Sequence, residues 1–191
     1  MKTKRAYKLF RIDKNGNLHP LYVLSKQVIP TGIWLPAEYG ELLPNGKVKA
    51  KLGNGLAFRP GWHMCDIPNS PWIGTKQPDG TLARREDAVW AEVEYSADVS
   101  YQEEARDNGW EAGRWANVRA CLKYIPVDGY YRYKTNSKGE VMIIAGAIKV
   151  LRVLTDEEVS GICKANGVVP QAKVAYQDRN YEDIARQMKT A

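Results

Sequence analysis

The run Glu140-Val-Met-Ile-Ile-Ala-Gly-Ala-Ile-Lys-Val-Leu-Arg-Val-Leu154 constrains this chain most. Its unbroken apolar part, Val141 to Ile148, is far shorter than the roughly 20 residues a membrane-crossing helix needs. It is rich in β-branched side chains and interrupted once by a glycine. It therefore reads as a buried strand, a bend at Gly146 and a second strand. Two buried strands in tandem need a sheet around them and a layer to cover it. Thr155-Asp-Glu-Glu158 follows directly and is a capping box, in which the threonine hydroxyl caps a helix start and Glu158 returns the bond. That helix is expected to run to Ala165 and to stop at Asn166-Gly167.

The rest of the chain supplies the remaining strands. Ala88–Tyr95 alternates, with Val89, Ala91, Val93 and Tyr95 on one face and Trp90, Glu92 and Glu94 on the other. Glu92 and Glu94 can serve as an acid–base pair or form the wet face of an antiparallel sheet. Ala6–Ile12 and Leu18–Val23 flank Asn15-Gly16, a hairpin signal. Val28–Pro36 carries prolines and suits an edge. Short strands are expected over Lys47–Leu52, over Leu56–Met64 interrupted at Pro60-Gly61, and over Gly129–Lys134. Residues 66–87 read as a long loop, and Tyr101–Arg106 as a short helix broken by Gly109. These elements predict an α+β domain over residues 1–167, with mainly antiparallel twisted sheet and peripheral helices. Residues 168–191 are expected to form a helical appendage, with Asp178 capping a last helix to Met188.

Charge is unevenly placed. Residues 1–60 hold 11 Lys/Arg against 3 Asp/Glu, and the remainder holds 17 against 19. The basic third suits a nucleic-acid or acidic-protein partner, or simply a solvated face. The three cysteines, Cys65, Cys121 and Cys163, are dispersed and odd in number, which points to reduced thiols and a cytoplasmic setting. No apolar run follows the basic start Met1–Arg5, so neither a leader nor a membrane is expected.

Chemistry-bearing residues concentrate in Arg59-Pro-Gly-Trp-His-Met-Cys-Asp66. His63 can titrate or donate near neutral pH, and it follows a glycine that permits close backbone approach. Trp62 and Trp72 can stack on a planar ligand. The alternative is a turn pinned by tryptophan packing, with His63 bonded to backbone. No second Cys/His cluster completes a tetrahedral site, so no metal is expected. Glu140, at the head of the apolar run, is either a partly buried carboxylate or an exposed residue closing a turn. Arg11 can grip a phosphate bidentately or pair with Asp13. No phosphate-binding glycine loop, dinucleotide fingerprint or nucleophile elbow is present.

The segments 56–66, 89–95 and 140–159 together resemble a group of bacteriophage and prophage proteins, over most of residues 5–165. That resemblance implies action in the cytosol of an infected bacterium. Locally, Glu140–Val150 resembles the third motif of ADP-ribosyltransferases. There a glutamate opening a strand bonds the nicotinamide ribose and stabilises an oxocarbenium-like transition state. The same resemblance implies an ADP-ribosyltransferase-like fold with NAD as cofactor. Glu140 and His63 would be catalytic, and Arg11, Trp62 and Trp72 would hold NAD. The sequence departs from that family: it lacks a Ser-Thr-Ser motif, and Lys138 stands where a Gln or Glu should precede Glu140. The expected function is ADP-ribosyl transfer to a host macromolecule. The alternative is a non-enzymatic phage protein that binds and inhibits a bacterial protein, such as part of a defence system, through its basic third and its tryptophans.

Overall fold

The computed structural model describes residues 1–51, 53, 55–111, 120–134 and 141–174, and side chains at all of these except 110 and 111. Before the first helix come β1 (Thr3–Ile12), β2 (Leu18–His19), β3 (Trp34–Pro36), β4 (Lys47–Val48), β5 (Leu56–Ala57), β6 (Trp62–Cys65), β7 (Thr75–Lys76), β8 (Leu82–Arg85), β9 (Ala88–Ser96) and β10 (Val99–Ser100). Then follow α1 (Gln102–Glu111), β11 (Gly129–Lys134), β12 (Val141–Ala145), β13 (Ala147–Val153), α2 (Asp156–Ala165) and β14 (Lys173–Val174). The fold is α+β and dominated by antiparallel sheet, as the alternation patterns predict. No helix among the described residues is long and apolar enough to cross a membrane.

The main sheet runs β10-β11-β12-β6-β1-β9-β13-β3, with β2 added on β1. Within it only β10 and β11 are parallel. Its connectivity dictates its shape. β12 and β13 are joined by the single residue Gly146, yet β6, β1 and β9 lie between them in the ladder. Four ladder steps amount to about 19 Å in a flat sheet, whereas one linking residue spans at most about 7 Å. The sheet must therefore curl until these two strands meet at a corner. Gly146 makes that corner possible, since a Cβ there would lie 1.8 Å from the Pro126 carbonyl oxygen.

Curling explains how both faces are buried. The inner side gathers Phe10, Met64, Val93, Tyr95, Ile143, Ile148 and Val150 from five strands, with no helix contributing among the described residues. On the outer side Trp90, Tyr131, Ile144 and Leu154 are covered by Ala105 of α1 and by Val159 and Cys163 of α2. The capping box of α2 forms as its sequence predicts. Glu92 and Glu94 form a paired, half-wet stripe. Glu92 accepts from Arg5 at 2.8 Å and from Arg152 at 3.0 Å, and Glu94 pairs with Lys149 at 2.5 Å.

Several expectations are corrected. The strand predicted over Leu18–Val23 stops at His19, because Pro20 has no N–H to continue the ladder. α1 runs through the buried Gly109 to Glu111 instead of stopping at Arg106. Residues 66–87 are not one loop: β7 and β8 form a hairpin there, turning at Asp79-Gly80. β8 gains a second partner in β14, which runs parallel to it, and Asp156 anchors both neighbours by accepting from Arg84 and Lys173. The helix expected over 178–188 lies outside the described residues.

Candidate functional site

β1 has two unlike edges. Against β9 it is paired continuously from Thr3↔Ser96 to Arg11↔Ala88. Against β6 it is paired only at Tyr7↔Cys65. Beyond that point the two strands diverge. β6 continues along β12 through Met64, His63 and Trp62. β1 regains a partner on this edge only at Arg11 and Ile12, where β2 takes over. The sheet is thus split into a wedge with Tyr7/Cys65 at its apex. Residues 20–24 and 37–40 lie along it.

The wedge opens into a cavity of about 420 Å³. Tyr22, Phe58, Trp62, Trp72, Trp90 and Tyr133 give it aromatic walls. Gly61 lets the chain enter β6 tightly against β12. Its φ is +124°, and a Cβ there would meet Ile144 Cγ2 at 2.3 Å. The Trp62 indole N–H donates to the Leu35 carbonyl at 3.0 Å, which fixes that ring.

Polar groups converge on His63. Its Nε2 lies 2.9 Å from the Arg59 carbonyl oxygen. A carbonyl can only accept, so Nε2 carries the proton and Nδ1 accepts from the Tyr133 hydroxyl at 3.4 Å. Burial holds the imidazole neutral, with its pKa lowered to about 4; the nearby charges of Lys8 and Arg59 push the same way. Burial likewise pushes the Tyr133 phenol up.

Two cations flank this histidine. The Lys8 ammonium donates to the His63 carbonyl across the wedge at 2.9 Å. It also lies 5.3 Å from the ring centroids of both Phe10 and Trp62. The residue as a whole is half-buried, and desolvation of the amine lowers its pKa to about 8. The Arg59 guanidinium stacks 4.0 Å from the Tyr133 centroid, and its Nε is buried with no partner. Among the described residues no carboxylate forms an ion pair with Lys8 or Arg59. The one acidic residue in the lining, Glu38, is exposed and accepts from Gln27.

Three residues singled out from the sequence, Trp62, His63 and Trp72, thus share one cavity. Arg11 is not in its lining. The Arg11 guanidinium donates to the Ser25 carbonyl at 2.9 Å and steadies the turn after β2. Glu140 lies outside the described residues. Asp66 points away and is held by both terminal nitrogens of Arg132. No cluster of three or more His, Cys, Asp or Glu side chains suited to a metal occurs among the described residues. Sequence reasoning missed Lys8, and it gave Arg59 no role although Arg59 opens the segment it singled out. One signal for Lys8 was present: on β1 it alternates with the buried Ala6 and Phe10, on a face where a lysine is out of place. No family model, curated protein or solved structure gives a significant match to this chain.

Proposed function

We propose that this protein binds a small organic ligand in the wedge between β1 and β6. The split carries the reading. A strand paired along one edge gives up ladder bonds on the other, and aromatic rings line the resulting space instead of filling it. An unfilled, ring-lined cavity forfeits the dispersion contacts of a packed core. About 420 Å³ falls within the size range of small-molecule sites. The test is a library of small aromatic compounds screened by thermal shift and by quenching of tryptophan fluorescence. Hits are expected to protect the wild type and to lose at least tenfold in affinity with Trp72→Ala. A screen without hits overturns the reading.

ADP-ribosyl transfer from NAD to a host macromolecule is the enzymatic form of the same proposal. It is favoured by the meeting of Trp62, His63 and Trp72 in one cavity. In this form the tryptophans hold the planar end of NAD, and Glu140 supplies the carboxylate that stabilises positive charge on the ribose. Labelled NAD incubated with bacterial lysate is expected to mark a macromolecule, and Glu140→Gln to abolish the mark. Absence of labelling, with a host protein retained on the immobilised chain, returns the function to the non-enzymatic binder.

A further inference from the structure

We infer that the ligand of the wedge is a planar aromatic acid, whose anionic group lies between the Lys8 ammonium and the Arg59 guanidinium. This rests on the wedge being a ligand site and adds the chemical class of what enters it.

A cation removed from water is costly unless something replaces its hydration. Elsewhere in the described fold, several cations brought against the sheet meet carboxylates: Arg5 and Arg152 meet Glu92, Lys149 meets Glu94, and Arg84 meets Asp156. Lys8 and Arg59 depart from that pattern together in one cavity, whereas Arg11, outside that cavity, spends its guanidinium on the Ser25 carbonyl. Lys8 spends one donor on the His63 carbonyl and turns the rest toward aromatic faces. The Arg59 guanidinium sits over the Tyr133 ring, and its buried Nε has no acceptor. Both bracket His63, which is neutral and has both ring nitrogens engaged, so it cannot serve as their counter-ion. The missing component is an acceptor of negative charge.

The walls decide the rest of the ligand. Trp62, Trp72 and Tyr133 are among the aromatic residues of the lining, which favours a ring over a flexible chain. A guanidinium fork reads a planar carboxylate or a phosphate in two-point fashion, whereas an ammonium contributes a point charge. One rigid acid with a one- or two-ring body satisfies both features. Charge-assisted bonds of this kind are worth roughly 10- to 100-fold in affinity each.

The test compares 1-naphthoate, 1-naphthyl phosphate and the uncharged 1-naphthamide by calorimetry. The two acids are expected to bind at least tenfold more tightly than the amide. The ratio between the acids reports whether carboxylate or phosphate is preferred. Lys8→Met and Arg59→Met are each expected to weaken the acids tenfold or more and to weaken the amide, whose carbonyl is a neutral acceptor, by much less. Affinity for the acids is expected to fall above about pH 8, where Lys8 loses its proton. Cys65 on β6 is the titratable side chain that acts on Lys8, and Lys8 and Arg59 each act on the neutral His63. Arg59→Met removes the one permanent charge among them and keeps the pH midpoint. Equal binding of amide and acids overturns this inference and leaves the wedge as a site for neutral ligands. Failure of all three probes, with none found by screening, overturns the inference and the wedge reading together.

Discussion

The two edges of β1 make opposite uses of the same strand. The edge toward β9 is paired from Thr3 to Arg11, and Ala91, Val93 and Tyr95 are buried beside it. The edge toward β6 is joined at one position and then opens around a cavity. The first edge holds the curled sheet together. The second gives up ladder bonds, leaves an arginine nitrogen unpartnered, and shelters a lysine and a histidine whose proton affinities are both depressed by burial. Stability and binding capacity therefore reside on opposite sides of one strand, and substitutions should separate them.

The largest effect is expected on the paired side. Phe10→Ala removes a fully buried ring from the inner core and should cost about 4 kcal/mol in chemical denaturation. Ligands of the wedge should still bind the fraction that remains folded.

Next comes the acid limb of stability. The folded-state pKa of His63 lies below its unfolded value, so the unfolded chain binds the extra proton between about pH 6.5 and 4. Stability falls as pH drops through that window, by about 2 to 3 kcal/mol from this residue. His63→Gln can keep the bond to Arg59 without a titrating ring. Its denaturation midpoints should lack this part of the decline, and an unchanged pH profile would count against a buried neutral histidine.

Lys8→Met should act in the other direction. Removing a desolvated cation is expected to stabilise the protein by about 2 kcal/mol at pH 7, after allowing for the lost bond to the His63 carbonyl. The lysine pKa is lowered on folding, so its penalty is complete below about pH 8 and relaxes as pH rises toward 10.5. The gap between variant and wild type should close over that interval. A more stable protein that has lost its affinity for acids would separate the two roles of β1 most sharply.

The smallest effect on stability is expected at the wedge wall. Trp72 is half-buried on the cavity side. Trp72→Ala should lower stability by about 1 kcal/mol, well below the usual cost of truncating a core tryptophan, while it impairs binding. A loss of 3 kcal/mol or more would mean that Trp72 belongs to the core and that the cavity is a packing defect.

Much of the architecture was legible locally. β9, β11, the β12–Gly146–β13 corner and α2 with its capping box follow from alternation, apolar runs and cap chemistry, all of which act over a few residues. Expectations failed where a distant partner decides the outcome. β7 and β8 hide in a stretch dense with proline and glycine because part of their support arrives from β14, far along the chain. α1 passes through Gly109 because that helix is packed against the sheet, and its length is not set by propensity alone.

The site divides along the same line. Trp62, His63 and Trp72 could be nominated from residue type and from the glycine beside them, but the partnership of Arg11 with Ser25 could not be foreseen. What the sequence determined by itself was which segments are strands, which faces of them are apolar, and where one helix begins and ends. Tertiary structure alone decided which strand edges meet, and so that β1 and β6 part after a single pair and bring Lys8 and Arg59 into the lining of one cavity. The reason is physical. Alternation records which way a side chain points, but backbone hydrogen bonds carry no residue identity, so the choice of neighbour is made only by the closing of the sheet.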